Sequence, residues 1–379
     1  MNRRPPDLGL LFIIVLLCLF GLAMVFSAAG YEDAARSGNL FAKSSKQLLA
    51  IGLGGTAMIA LTRISLDWLK KATPAIFVLN LLVLMAVPLV GAETKGATRW
   101  IELGPFKYQP VEGMKVAMAL GVAWWLDRMR AQLADWRAMA PAVGVITGVF
   151  LLTLMQPDFG STVVMAAAVV FTAWLAGLPH RVFASLLGTG LLAALVLVRV
   201  SEYRWRRVEA VWKPLAADTC RGDSLQMCQS LFAFHRGGLE GRGLGQASAK
   251  LYYLPEAHND FILAIVGEEL GILGVLALLA LLAGLIWRGW LVARRAESYF
   301  GFLVASAITL TTACQALFNV AVALGWAPTK GLVLPFVSYG ASAMLANLVA
   351  MGILLSVSTT GPRTAPAAAT RNADAPAGA

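Results

Sequence analysis

The sequence predicts an all-α integral membrane protein, a bundle of about ten transmembrane helices with one large extracytoplasmic loop between helices 7 and 8. Composition is the first reason. Of 379 residues, 58% are hydrophobic and only 14% charged, whereas a soluble domain carries about 25% charge, so a disordered or nucleic-acid-binding chain is excluded. Segmentation is the second reason: the apolar residues fall into ten stretches bounded by charge or by Gly and Pro, and a bilayer core needs about 20 apolar residues per helix. The third is the loop pattern, in which the connections on one side are short and basic and a single long polar segment lies on the other. The net charge of +10 then points first to a lipid surface. Three histidines and four scattered cysteines argue against a zinc site.

The stretches cover residues 8–28, 47–61, 74–90, 113–126, 141–155, 162–178, 183–198, 261–287, 302–326 and 341–357. The first follows Arg3 and Arg4 and ends in Ser27-Ala28-Ala29, as a secretory signal would. It is longer than a signal's apolar region of about 7 to 15 residues and nine more stretches follow, so a retained helix is expected. An even number of spans puts both termini on one side. Arg63, Lys70 and Lys71, then Arg128, Arg130 and Arg137, then Arg288, Arg294 and Arg295 mark that side as cytoplasmic by the positive-inside rule. Residues 1–358 form one polytopic membrane domain. Residues 359–379, rich in Ala, Pro and Thr, are expected as a disordered cytoplasmic tail.

The long polar segment covers residues 200–260, and loops of that length are usually functional when their composition is not that of a disordered chain. Its first part places Trp205, Val208 and Trp212 on one helical face and Arg206, Glu209 and Lys213 on another, which suits a helix lying on the membrane surface. That helix reads either as an interfacial anchor or as a place where Arg204, Arg206 and Arg207 meet lipid phosphates. Further on, HRGGLEGRGLG at 235–245 reads either as a close backbone approach to a ligand or as a set of turns. Cys220 and Cys228 are open to a disulfide in an oxidising compartment or to two free thiols. Cys18 and Cys314 lie in spans as small packing residues.

The segment ends in YYLPEAHND just before Phe261. Asp260 therefore stands at a helix N-terminus near the outer water–lipid boundary, where negative charge is favoured. It reads either as a cap or as a general base acting on a substrate that projects from lipid. Glu112 and Lys115 form an i,i+3 pair opening the fourth span. Thr311, Gln315 and Asn319 share one face of the ninth helix, suited to a cavity or to helix–helix contact. Lys330 lies in the outer turn 327–340. No stretch offers a nucleotide-binding loop.

Four motifs in order carry a resemblance: KGATRWIELGPFKYQPVE, QPDFGSTVV, GGLEGRGLGQASAKLYYLPEAHNDFILAIVGEELG and PTKGLVLPFVSYG. Together they resemble the SEDS family (shape, elongation, division and sporulation), and PEAH resembles its FtsW branch where RodA proteins usually have PERH. The chain departs from the family at Asn259 (commonly Thr), at Gln109-Pro110-Val111-Glu112 (commonly QPSE), at Tyr339-Gly340-Ala341-Ser342-Ala343 (commonly YGGSS) and at Lys213-Pro214 (usually Asp-Pro).

The resemblance implies a SEDS-type bundle and a peptidoglycan glycosyltransferase that polymerises lipid II, the undecaprenyl-pyrophosphate-linked precursor, into glycan strands during septal wall synthesis. Asp260 resembles the family's catalytic aspartate and is expected as the general base of an inverting transfer. Lys330, Arg99, Lys115 and Arg207, with Glu112, His258, Gln226 and Ser338, are the substrate-binding candidates that the resemblance implies. No cofactor is expected, and a divalent cation is left as an option for the leaving pyrophosphate without a dedicated site. The implied partners are a class B penicillin-binding protein transpeptidase and other division-complex membrane subunits, in the bacterial cytoplasmic (inner) membrane at the division septum. Two other readings stand beside this one: a lipid II flippase, which should tolerate Asp260→Asn, and a non-catalytic division scaffold, which needs no acid at that position.

Overall fold

The computed structural model describes residues 4–94, 97–104, 106–133, 135–212, 220, 222–329 and 331–360. Each of the ten apolar stretches lies wholly or mostly in a helix: α1 Leu8–Ser37, α2 Ala42–Thr62, α3 Leu66–Val90, α4 Pro110–Arg128, α5 Trp136–Met155, α6 Phe159–Leu175, α7 His180–Val200, α10 Ile262–Arg294, α11 Tyr299–Ala323 and α12 Ala341–Ser358. Between α7 and α10 lie two further helices, α8 Glu202–Trp212 and α9 Leu225–Gly237. By length and composition, seven of the described helices, α1, α3, α5, α7, α10, α11 and α12, are able to cross a membrane. α6 is apolar but shorter, and α2 and α4 open with polar turns that carry Lys43 to Gln47 and Glu112 with Lys115.

Several boundaries differ from those read off the sequence, each for a local reason. Pro74 and Pro141, taken as helix starts, lie inside α3 and α5, because a bundle can re-satisfy the backbone group that a proline frees. α1 runs nine residues beyond Ala28 and ends only at Gly38, whose φ of 68° breaks the helix. That extension carries Glu32 and Asp33 past the apolar part. Leu10, Ile14, Leu17, Met24 and Val25 of α1 are buried against the bundle, so this helix is an integral core element. The segment between α3 and α4, read without strands, forms a small antiparallel sheet of β1 Ala92–Thr94, β2 Ala97–Leu103 and β3 Phe106–Tyr108. In β2, Thr98, Trp100 and Ile101 are β-branched or aromatic residues, which favour strands.

α2 and α12 pack closely because small residues face each other. A Cβ at Gly352 would stand 2.8 Å from the Cα of Met58, and one at Gly54 2.7 Å from Leu348. At one end of the bundle, Arg288 pairs with Asp7, Lys70 with Asp127, and the Ser356 hydroxyl donates to Ile64 O at 2.8 Å. The other end gathers the sheet, α8, α9 and the turns at 156–158 and 324–340, tied together by the contacts described below. Cys220 and Cys228 are joined there in a disulfide, with their Cα atoms 5.7 Å apart.

α10 is two helices in line. Gly271, with φ 65° and ψ −168°, breaks it. The preceding segment from Ile262 to Glu269 is wholly buried in protein. The following one, of about 23 residues, spans about 34 Å and is long enough to cross a bilayer alone. The break frees backbone groups that need partners, and the glycine-rich stretch takes them up. Arg242 N and Gly243 N donate to Glu268 O and Glu269 O at 3.0 and 2.9 Å, while Ile272 N and Leu273 N donate to Gly238 O and Leu239 O at 2.9 and 3.3 Å. The glycines of HRGGLEGRGLG thus permit contact between this loop and α10: a Cβ at Gly237 would lie 1.9 Å from Gly267 O, and one at Gly241 2.2 Å from Glu269 O.

This packing predicts opposite outcomes for two glycine-to-alanine changes in purified protein. Gly241→Ala, at φ 83° and against a backbone oxygen, should destabilise by at least about 1–3 kcal/mol. Gly144→Ala, in α5 with open space around it, should be neutral or stabilise by up to about 1 kcal/mol. Thermal unfolding in detergent compares the two, and equal shifts would contradict the packing.

Candidate active site

Asp260 sits in the turn immediately before α10. Two bonds fix its backbone: its N–H donates to Glu256 O at 3.2 Å, and its carbonyl accepts from Asn319 Nδ2 at 3.0 Å. Its carboxylate lies over the strap between α11 and α12, where a Cβ at Gly331 would stand 3.6 Å from Oδ2. Glycine at 331 therefore leaves the space beside that oxygen free of a side chain. Glu256 opens the turn with φ 58°. Asn259 stabilises this by donating Nδ2 to Glu256 Oε2 at 2.7 Å and its N–H to Glu256 O at 3.0 Å, since a non-glycine left-handed residue persists only where its surroundings determine it.

The polar face of α11 holds the strap. Asn319 Nδ2 donates to Leu332 O at 2.6 Å as well as to Asp260 O, and Gln315 Nε2 donates to Val333 O at 2.9 Å. One side chain thus fixes both Asp260 and the strap that faces it. Gln315 Oε1 in turn accepts from Lys115 Nζ at 2.7 Å, and Lys115 pairs with Glu112 at 2.7 Å, both partners about 95% buried. Beside this pair a small cavity between α4, α11 and α12 is lined by Glu112, Lys115, Thr311, Thr312, Gln315 and Asn347.

Arg207, on the amphipathic helix α8, donates Nη1 to Thr329 O at 2.8 Å and stacks on Tyr203. It therefore reaches the strap two residues from Gly331. Lys330 lies between them and outside the described residues, as do Lys213, Pro214 and the tail from 361. Arg99, on β2, donates Nε and Nη2 to the carbonyls of Gln156 and Pro157 at 2.8 and 2.6 Å, which binds the sheet to the turn before α6. The Ser338 hydroxyl donor–acceptor pairing closes the strap's far turn: Leu334 N donates to Ser338 Oγ at 2.8 Å, and Gln47 Nε2 donates to Ser338 O at 3.1 Å. Gln226, on the first turn of α9, makes none of these tying contacts among the described residues.

His258, two residues before Asp260, is buried against α1 and the strap. Its Nδ1 lies 3.5 Å from Glu32 Oε2, its ring is 5.8 Å from that of Tyr339, and its carbonyl accepts from Tyr339 N at 3.0 Å. Lys43 pairs with Glu32 and Asp33 at 3.0 and 2.9 Å beside it. Burial and then the Lys43 ammonium hold the imidazole below the usual histidine range, against a smaller opposing pull from Glu32, Glu256 and Asp33.

The structure thus gathers Asp260, His258, Arg207 and Ser338 around the strap, with Lys115 and Glu112 joined to it through Gln315. Sequence reasoning missed Asn319 and Gln315 as strap holders, the Glu32–Asp33–Lys43 cluster, and the wholly buried Glu268 and Glu269. Two adjacent acids inside an apolar run were the available signal for the last pair.

The FtsW/RodA/SpoVE family model, described as cell cycle protein, matches residues 8–362. A probable peptidoglycan glycosyltransferase FtsW of Trichlorobacter lovleyi is 39% identical over 360 residues, covering 93% of each chain. Stage V sporulation protein E of Bacillus subtilis is 37% identical, covering 94% of this chain and 98% of its own. Among solved structures, a chain from a peptidoglycan synthase complex that coordinates polymerization and crosslinking superposes with a TM-score of 0.76 at 28% identity, covering 93% of this chain and 97% of that one. The rod shape determining protein RodA of Thermus thermophilus superposes with a TM-score of 0.69 at 28% identity, covering 93% and 96%.

Two measurements test this geometry. Below the ordinary histidine pKa of about 6.5, the unfolded chain takes up a proton at residue 258 that the folded chain resists. Stability should therefore fall as pH drops from about 6.5 toward the lowered folded value, with no contribution from this group above it. His258→Asn should flatten that part of the thermal-unfolding profile, and an unchanged slope would contradict the burial argument. For the buried pair, Glu112→Leu or Lys115→Met alone should destabilise by about 3–5 kcal/mol, and the two together by much less; additive losses in denaturation would show that the two charges do not depend on each other.

Proposed function

Because the chain belongs to the FtsW/RodA/SpoVE family of cell cycle proteins, we propose that it is a membrane-embedded peptidoglycan glycosyltransferase that polymerises lipid II, with Asp260 as the general base. What supports this is placement: the backbone of Asp260 is held by Asn319 and Glu256, and its half-buried carboxylate faces the strap at Gly331, a residue with no side chain. A general base must be held in place within reach of the proton it takes.

In the reaction, the acceptor's N-acetylglucosamine 4-hydroxyl loses its proton to Asp260 as its oxygen attacks the anomeric carbon of the donor's N-acetylmuramic acid. The new glycosidic bond forms as the bond to the lipid pyrophosphate breaks, and the pyrophosphate leaves with the electron pair. An α-linked donor then gives a β-1,4 product in a single inverting step, with no covalent intermediate on the enzyme. Charge that develops on the leaving group calls for cations. Arg207, whose helix reaches the strap at Thr329, and Lys330 are assigned to it. Arg99, Lys115 and Glu112 hold the walls of the site through the bonds described above, and His258, Ser338 and Gln226 complete the substrate-binding set.

The layout suits such a substrate. A polyprenyl tail needs an apolar bundle and the sugar head needs a polar end, and the polar end of this bundle faces the cell exterior in the proposed topology, with both termini in the cytoplasm. The chain acts in the bacterial inner membrane at the division septum, with residues 1–358 as the membrane domain and the remainder as a cytoplasmic tail. A class B penicillin-binding protein is the proposed crosslinking partner, supported by the similarity to a chain of a peptidoglycan synthase complex. Transporters also use broken helices, with the freed backbone groups turned toward cargo. In α10 the glycine-rich loop takes up such groups, an arrangement that favours an enzyme over a flippase.

Asp260→Asn keeps the shape and removes the base. Supplied with lipid II and the cognate transpeptidase, the variant should polymerise at least about 100-fold more slowly than wild type, as read by gel separation of glycan strands. Equal rates would remove Asp260 from the mechanism.

A further inference from the structure

We propose that Glu268 and Glu269 are positioning residues for Asp260, closing the base of the loop on which that carboxylate rides; the inference rests on the role given above to Asp260. Both side chains are at 0% exposure, and both turn back onto the stretch of chain that leads into the site. Glu268 Oε1 accepts from Ser248 N at 3.0 Å and Ser248 Oγ at 2.6 Å, and its Oε2 accepts from Ala249 N at 3.0 Å. Glu269 Oε1 accepts from Ala247 N at 3.4 Å and from Lys250 Nζ at 2.9 Å. Ser27 Oγ of α1 also lies 2.7 Å from both Glu269 oxygens and 3.2 Å from Lys250 Nζ.

The chain between these two anchor points leaves at Ala247, passes through a π-turn at Ala249–Tyr253, turns at 255–260 to reach Asp260, and returns down the first segment of α10 to Glu268. The two carboxylates pin four successive residues, 247 to 250, against the end of the first segment of α10. The far side of this closed loop is held by its own bonds, with Leu254 N donating to Ala249 O and Asn259 N and Asp260 N donating to Glu256 O. The guanidinium groups of Arg236 and Arg242 stand 3.9 and 3.7 Å from Glu268 Oε1, and Arg242 N–H also closes the helix break. The clamp and the repair of α10 therefore share residues, and Ser27 ties both to α1.

Loss of either carboxylate should free the Asp260 turn and leave the rest of the bundle intact. Lys250, 8% exposed at its side chain, would lose its counter-ion in Glu269→Gln, and neutralising it as well should restore the clamp. Hydrogen–deuterium exchange of the full chain in nanodiscs reads this without substrate. The amides of Leu254, Asn259 and Asp260 are hydrogen-bonded in the native turn. In Glu269→Gln and in Glu268→Leu their exchange should rise by about tenfold or more, with α2 and α12 unchanged, and the pair Glu269→Gln with Lys250→Gln should return close to wild type. Unchanged exchange over 254–260 in both single variants overturns the proposal. Faster exchange throughout the bundle also overturns it, because the carboxylates would then hold the whole fold and not this loop. In polymerisation of lipid II, Glu269→Gln should lower kcat by about tenfold or more with KM nearly constant, with recovery in the paired variant; a raised KM at constant kcat overturns it. A wild-type chain that made no polymer would refute the function assigned to Asp260, whereas the exchange experiment would still decide the clamp.

Discussion

The break in α10 at the buried Gly271 frees several backbone groups, and buried backbone groups must find partners within the protein. The organisation of the candidate site follows from how they are met. Only a glycine-rich segment can come near enough to donate to Glu268 O and Glu269 O and accept from Ile272 and Leu273. That segment is chained to the turn bearing Asp260, so repair of the helix also fixes where the following loop starts. The first eight residues of α10 are enclosed by protein and carry two buried acids.

The same logic governs the strap that faces Asp260. Residues 331–333 are not part of a helix, so their carbonyls need donors, and α11 supplies them from Gln315 and Asn319 at one-turn spacing. Because Asn319 also holds the carbonyl of Asp260, the two sides of the opening share a reference point on a buried helix. Arg207 adds a third contact from α8. A site assembled this way is positioned by a rigid element even though the reacting groups stand on turns.

Much of this was legible in the sequence. The ten apolar stretches lie mostly in ten helices, the amphipathic segment of residues 203–212 lies in α8, and Asp260 stands in the turn just before α10, whose N-cap is Phe261. What escaped notice depended on pairs of segments distant in the chain. Thr311, Gln315 and Asn319 were visible as one face, but nothing in their spacing said that the face would meet the carbonyls of 332 and 333. The glycines of 235–245 showed that something comes near the backbone; that it is α10 itself could be seen only once Gly271 was known to be non-helical. Prolines 74 and 141 misled as boundaries because a bundle pairs what they free. The sheet escaped because strands of three to seven residues carry little periodicity.

The account requires one orientation: the Asp260 end of the bundle must face the cell exterior, where a lipid-linked sugar is presented. Asp260→Cys, in a chain whose Cys18 and Cys314 are replaced by serine, reports it through reaction with a membrane-impermeant maleimide. Modification before the cytoplasmic membrane is opened is the predicted result. Modification only after that membrane is opened would place the carboxylate inside the cell and contradict the account.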